Sequence, residues 1–253
     1  TLFLVPVGMS DAPFSSVLPA ANIEIVKRLK YFVVENIRSA RRFLKRCDPS
    51  IDISALTFYE LNRHVDMSEV SGFIEPLRRG EDMGVMSDAG CPAIADPGAL
   101  IAALAQEEGY RVKPLVGPSS ILMGLMASGF NGQGFAFHGY LPADAAGRAE
   151  ALRRLESESQ RRRMTHIFIE TPYRNRSFLS TLVEVLHAET MVCVACDLTD
   201  PEKEWVRTLS AGRWREELRK NPGFAPIEKR PAVFLLYAGG RDAVQQTKKK
   251  RKN

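Results

Sequence analysis

The stretch Ser87-Asp-Ala-Gly-Cys-Pro-Ala-Ile-Ala-Asp-Pro-Gly98 decides how the rest of this chain is read. It places two Asp, two Gly and two Pro between the apolar run Met83–Ser87, which reads as a strand, and Gly98–Glu108, which reads as a helix stopped by Gly109. Its second half is helix-start chemistry, with Asp96 as cap and Pro97 at the first helical position. That does not account for Asp88, which falls at the end of the strand. A carboxylate there is placed to accept hydrogen bonds from a ribose or to attract a cation. In parallel α/β sheets, ligands collect outside the carboxyl ends of the strands, so residues just after each strand are the informative ones.

Working outward, strand and helix patterns alternate. Leu2–Val7, Tyr31–Val34, Ala55–Tyr59 and Arg111–Leu115 read as strands; Asn22–Lys30, Ser39–Arg46 and Met67–Arg79 read as helices. Repeated strand-then-helix units predict a parallel sheet covered by helices. Val116-Gly-Pro118 punctuates the pattern, and the domain boundary is expected there. A second α/β half follows: helix Ile121–Ala127, strand Phe135–Gly139, helix Arg148–Ser157, strand Thr165–Glu170, helix Asn175–His187, and strands Met191–Leu198, Trp205–Ser210 and Ala232–Ala238. The Asn221–Pro231 stretch reads as a loop. The expected division is an N-terminal α/β domain over 1–116 with a mostly parallel sheet, a C-terminal α/β domain over 117–240 with a mixed sheet, and a basic disordered tail over 241–253.

Three further loops follow strands. Pro6-Val-Gly8 closes the first strand, and glycine there permits close backbone approach. It is not the G-x-G-x-x-G fingerprint of a dinucleotide fold. Gly117-Pro-Ser-Ser120 offers hydroxyls and amides at a helix start, a cradle for a carboxylate or phosphate. Glu170-Thr-Pro-Tyr-Arg174 sets a Glu and an Arg where they hold a substrate or pair with each other.

Composition bounds the rest. The 253 residues, 45% hydrophobic, suffice for one large domain or two modest ones. No run of about 18 apolar residues occurs, so no membrane span is expected. Of Cys47, Cys91, Cys193 and Cys196, only the last two are closely spaced, inside an apolar strand, which predicts core cysteines and no metal site. The opening residues lack the pattern of a signal peptide, and with no disulfide framework the cytoplasm is the expected compartment. Net charge is +5, and five basic residues lie in Lys248–Lys252, so the body is neutral overall. Such a run binds polyanions or is a solvated end.

The order of these loops resembles the tetrapyrrole methylase superfamily, and within it the branch of bacterial 16S ribosomal RNA ribose 2′-O-methyltransferases. The likeness runs from about Leu2 to Tyr237. It rests on S-D-A-G-x-P-x-x-x-D-P-G at Ser87–Gly98, P-L-x-G-P at Pro114–Pro118, an aromatic-L-P element at Gly139–Pro142, and the Glu170/Arg174 spacing. It implies two α/β domains of the tetrapyrrole methylase type, S-adenosylmethionine bound in the cleft between them, and a homodimer. It also implies that Pro6, Gly8, Asp88, Ala89, Gly90, Cys91, Ser119, Ser120, Ile121, Leu141, Pro231 and Ala232 bind the donor. Glu35 and Glu170 become candidate proton acceptors or positioning groups, and Arg38, Asn62 and Arg174 candidate substrate contacts. Departures fall on the acceptor side. Glu35-Asn-Ile-Arg38 stands for E-D-T-R, Tyr59-Glu-Leu-Asn62 for H-x-H-N, and Val5-Pro-Val-Gly-Met-Ser10 for P-x-P-I-G-N.

The acceptor expected is ribosomal or other structured RNA, which the arginines of Ser39–Arg46 and the basic tail favour. A small molecule such as a tetrapyrrole is the alternative. A Mg²⁺-dependent hydrolase on Asp88, Asp96 and Glu170, and a donor-binding regulator without catalysis, are further readings. No G-x-x-x-x-G-K phosphate loop supports the hydrolase.

Overall fold

A computed structural model describes residues 1–61, 65 and 67–240. The expected site residue Asn62 and the basic tail lie outside the described residues. In chain order the elements are β1 (Leu2–Leu4), α1 (Phe14–Val17), α2 (Ala20–Val26), β2 (Tyr31–Val34), α3 (Ile37–Cys47), β3 (Thr57–Glu60), α4 (Met67–Val70), α5 (Glu75–Arg78), β4 (Met83–Met86), α6 (Gly98–Glu107) and β5 (Val112–Pro114). Then come α7 (Ser120–Ser128), β6 (Phe135–Tyr140), α8 (Ala145–Arg162), β7 (Thr165–Ile169), α9 (Asn175–Val185), β8 (Met191–Cys196), β9 (Trp205–Ser210), α10 (Ala211–Lys220) and β10 (Ala232–Tyr237). The chain divides into two compact units, Thr1–Ser119 and one beginning at Ser120.

In the first unit the sheet order is β3-β2-β4-β1-β5, and every neighbouring pair is parallel. All strand ends therefore share one edge. The central strand β4 is buried along its length, as a strand covered on both faces must be. Phe32, Val34, Phe43 and Leu44 fill one face, and Val33, Ile74, Leu77 and Ile101 the other. Helix α3 buries Ala40, Phe43 and Leu44 and leaves Arg38, Arg41, Arg42, Lys45 and Arg46 exposed, so its amphipathic pattern sets its docking face. The Asn36 side chain starts it by accepting from the Ser39 amide at 3.0 Å.

In the second unit the order is β6-β7-β10-β8-β9; β6 and β7 are parallel and the remaining pairs antiparallel. Helices α8, α9 and α10 cover one face, where Phe168, Phe178, Trp214 and Phe234 are fully buried. Phe178 meets Phe234 edge-on at 4.9 Å between centroids. Cys193 and Cys196 lie fully buried in β8, where burial pushes both thiols up to about 11. Helix α7 lies on the other face of the sheet. No helix among the described residues is long and apolar enough to cross a membrane.

The structure departs from the sequence reading at definite places. The single helix expected over 67–79 is broken into α4, a 3₁₀ turn and α5, because Gly72 weakens helix and Pro76 has no amide to donate. The first strand ends at Leu4, with Val5 and Val7 still pairing beyond it. Helix α10 has no counterpart in the sequence pattern. Its sequence is mostly charged, and the buried Ala211 and Trp214, with the Trp214 indole N–H on the Val192 carbonyl at 3.0 Å, hold the helix against the sheet. At α6 the cap position belongs to Pro97, yet the Asp96 side chain still accepts from the first helical amide, Gly98, at 2.7 Å.

Phe178→Ala is expected to cost about 3–5 kcal/mol, the usual range for deleting a fully buried phenyl ring. Urea denaturation measures it, and a loss below about 1 kcal/mol would show that the aromatic cluster does not hold this unit together.

Candidate functional site

The parallel sheet brings three of the expected loops to one edge. Val7 and Gly90 form a two-bond bridge, Val7 N to Gly90 O at 2.9 Å and Gly90 N to Val7 O at 3.1 Å. Gly90 takes φ +75°, which a side chain would strain. Gly117 packs so closely on the Pro6 ring that a Cβ would lie 2.3 Å from its carbons. The Cys91 thiol donates toward the Pro118 carbonyl at 3.3 Å. Pro6–Gly8, Asp88–Cys91 and Gly117–Ser119 thus form one continuous surface.

Within it, Pro6 and Gly90 are buried and act through backbone, whereas Asp88 and Ala89 are exposed. Burial raises the Cys91 thiol above its ordinary range, so it stays neutral near pH 7. Ala93 and Ala95 both take left-handed φ, 67° and 64°. Asp96 Oδ1 ties that strained segment down through the Ala93 amide at 2.9 Å. Asp96 Oδ2 is buried and has no hydrogen-bond partner among the described residues.

Glu35 follows β2, the strand beside β4, and its Oε2 accepts from the Asp88 amide at 3.2 Å. Burial raises its carboxyl above the ordinary range, and the Asp96 and Asp88 charges push the same way. Arg38 is exposed, with no partner among the described residues.

The remaining expected residues lie in the second unit. Leu141 follows β6, Glu170 follows β7, and Pro231–Ala232 enter β10, which runs antiparallel to β7 with Val233 beside Ile169. These residues share one edge of the second sheet. Helix α7 runs from Val233, against which Gly124 packs, toward Tyr237, on which Phe130 stacks. Ser120 and Ile121 therefore open α7 at that same edge. Glu170 is not free there. Its carboxylate is almost fully covered and accepts from Arg174 Nε at 3.0 Å, Arg174 Nη2 at 2.7 Å and the Thr171 amide at 2.6 Å. Of the two carboxylates read as proton acceptors, Glu35 stands at the loop edge, and Glu170 is committed to Arg174.

Two residues the sequence reading did not single out, Ser39 and Phe14, line a pocket beside Asp88. The sequence marks Ser39 only as the start of a helix. Its place in the pocket has no linear signal, because the other lining residues lie about 30 and 50 positions away.

No protein-family model matches the chain. It is 31% identical over 241 residues to ribosomal RNA small subunit methyltransferase I of Pseudomonas aeruginosa, covering 94% of this chain and 79% of that protein. It is 30% identical over 224 residues to the protein of the same name from Vibrio cholerae, covering 88% and 73%. The chain belongs to the ribosomal RNA small subunit methyltransferase I family. It is a methyltransferase. Among solved structures, the uroporphyrin-III C-methyltransferase of Thermus thermophilus in complex with S-adenosylhomocysteine has a TM-score of 0.56 at 14% identity, covering 93% of this chain and 96% of that one. The expected fold of the tetrapyrrole methylase type is the fold this family member has.

The raised Glu35 carboxyl has a stability consequence. A carboxyl whose native pKa exceeds its unfolded value adds stability that is fully present below the ordinary carboxylate range and lost as pH rises through the native value. Glu35→Gln keeps an oxygen for the Asp88 amide and carries no charge. Its melting temperature relative to the parent is expected to rise between pH 4 and pH 7. An offset equal at both values would refute the raised carboxyl.

Proposed function

We propose that this enzyme transfers a methyl group from S-adenosylmethionine to a ribose 2′-hydroxyl of small-subunit ribosomal RNA in the cytoplasm. The observation that carries the reading is the joined edge of three strand-end loops, in a chain matching this family over 94% of its length. The residues fit the donor. Asp88 offers an exposed carboxylate for ribose hydroxyls, Asp96 Oδ2 is a buried acceptor still to be satisfied, and Gly90 and Gly117 let the loops that would hold the donor close on one another. Pro6, Gly8, Ala89 and Cys91 line the same edge, and Ser119, Ser120, Ile121, Leu141, Pro231 and Ala232 complete the proposed donor contacts.

When bound, S-adenosylmethionine supplies a methyl group already activated on a sulfonium. The chain's own residues then need to orient the acceptor and take its proton. Glu35 suits the second task, since a carboxylate whose pKa is raised by burial is a stronger base than an ordinary glutamate. Glu170 positions Arg174, whose partly exposed guanidinium faces substrate. Arg38 and Asn62 are proposed as further acceptor contacts.

Methyl transfer from tritiated donor, with extract fractionated into ribosomes, free RNA and small molecules, tests the reading. Label is expected in small-subunit RNA, and Glu35→Gln is expected to lower the rate by about 10²–10⁴-fold, the usual contribution of a general base, with donor affinity kept. Label confined to small molecules would overturn the RNA acceptor.

The enzyme is also proposed to be a homodimer, an assembly supported by the exposed apolar side chains Leu122, Met126 and Phe135 of the second unit. Sedimentation is expected to give twice the 28.2 kDa chain mass at micromolar concentration. A single-chain mass across that range would refute the dimer.

A further inference from the structure

Beside the donor loops, the first unit carries an open pocket of about 320 Å³ between Gly8–Asp11, α3 and Asp88–Ala89. Two largely buried rings, Phe14 and Phe43, lie beneath it with centroids 5.2 Å apart. Its polar lining is mixed: Ser39, Arg42 and Arg46 from α3, Asp88 from the strand-end turn, and Ser10 and Asp11.

The two arginines differ in what they are free to do. The Arg46 guanidinium lies 4.4 Å from the Phe14 ring centroid, donates to the Ala12 carbonyl at 3.1 Å, and has Nη1 3.6 Å from the Asp11 carboxylate. Its charge is answered by Asp11, and it holds the Asp11–Ala12 turn in place. Arg42 is exposed and has no hydrogen-bond, ionic or ring partner among the described residues. Helix α3 carries five basic side chains and no acidic one, so Arg42 lies in a field that attracts anions. Asp88 repels an anion but accepts from a hydroxyl. The pocket thus combines a free guanidinium, a hydroxyl at Ser39, a carboxylate and an apolar floor. That set matches a phosphorylated sugar better than bare phosphate, which would leave the carboxylate and the rings unused.

We propose that this pocket takes one ribonucleotide of the acceptor RNA, its phosphate on the Arg42 fork and a ribose hydroxyl toward one Asp88 oxygen, the other being left for the donor ribose. The inference rests on the RNA reading above and deepens it, since it fixes where the strand lies relative to the donor loops. Arg42 is then a positioning residue for the acceptor. Arginine suits the role, because its planar fork meets a phosphodiester through two hydrogen bonds.

The test uses the full chain and transcribed small-subunit ribosomal RNA, with binding measured from about 50 to 200 mM salt and donor affinity measured by calorimetry. Arg42→Ala is expected to weaken RNA binding about tenfold and to reduce the salt slope by about one phosphate contact, with donor affinity unchanged. Arg42→Glu is expected to weaken it further, and Arg42→Lys to retain part of the affinity. Arg111 precedes β5 at the opposite edge of the sheet, so Arg111→Ala is expected to keep RNA affinity within about twofold. RNA affinity and slope unchanged in both Arg42→Ala and Arg42→Glu would overturn the pocket assignment, as would loss of donor affinity with RNA binding kept. If the parent methylates this RNA while the Arg42 variants bind it normally, the pocket assignment alone fails. If the parent neither binds nor methylates it, the RNA reading and the pocket assignment fail together.

Discussion

The pairing of Val7 with Gly90 organises the first unit's functional edge. In a parallel sheet, each strand delivers its loop to the same side, but nothing in strand pairing obliges those loops to touch. Here two backbone hydrogen bonds tie the loop after β1 to the loop after β4. The bridge works only because residue 90 adopts a left-handed backbone, and it leaves the Cys91 thiol against the Pro118 carbonyl. The Gly117–Pro6 contact closes the triangle. Two glycines and one proline thus turn three separate connections into a rigid rim. A site on a rim whose backbone is bonded to itself is held to the small tolerances that a displacement reaction requires.

The electrostatics of that rim follow from the same geometry. Three carboxylates, Glu35, Asp88 and Asp96, come close because β2 and β4 are neighbours. Partial burial, and to a lesser degree their mutual repulsion, raise Glu35, and the Asp88 amide offsets only part of the rise. The second unit handles its own carboxylate differently. Glu170 is buried with Arg174 across it, so the pair is neutral and serves to orient the guanidinium. Both glutamates follow strands, but only one sits beside unsatisfied acid, and that difference separates a candidate base from a positioning group.

Much of this was legible in the linear sequence. Ser87–Gly98 declared a strand end, a turn and a helix start within twelve residues, since Asp, Gly and Pro each act on their own backbone or the next few residues. The arginines of Ser39–Arg46 marked the outer face of α3, and its buried face is the complement, Ala40, Phe43 and Leu44. The order of loops gave the family and the fold, because each loop's residues answer to a local constraint. Helix α10 and the break between α4 and α5 were not legible, since one docks a mostly charged run through little more than Ala211 and Trp214 and the other depends on a weak glycine and a proline inside a helical pattern.

What the sequence by itself determined is the set of strand-end loops and the residue types in them, because turn chemistry and amphipathic spacing are short-range. Only the tertiary structure decided which of them meet. Strand order put Glu35 next to Asp88, 53 positions away. It brought Gly117 onto Pro6, and it paired Glu170 with Arg174 under cover. The same packing left Arg42 without a partner and bound Arg46 to Asp11. Nothing in the run Arg41-Arg42-Phe-Leu-Lys-Arg46 distinguishes the two arginines, because what separates them is the three-dimensional position of Asp11 and Ala12, 35 and 34 residues before Arg46.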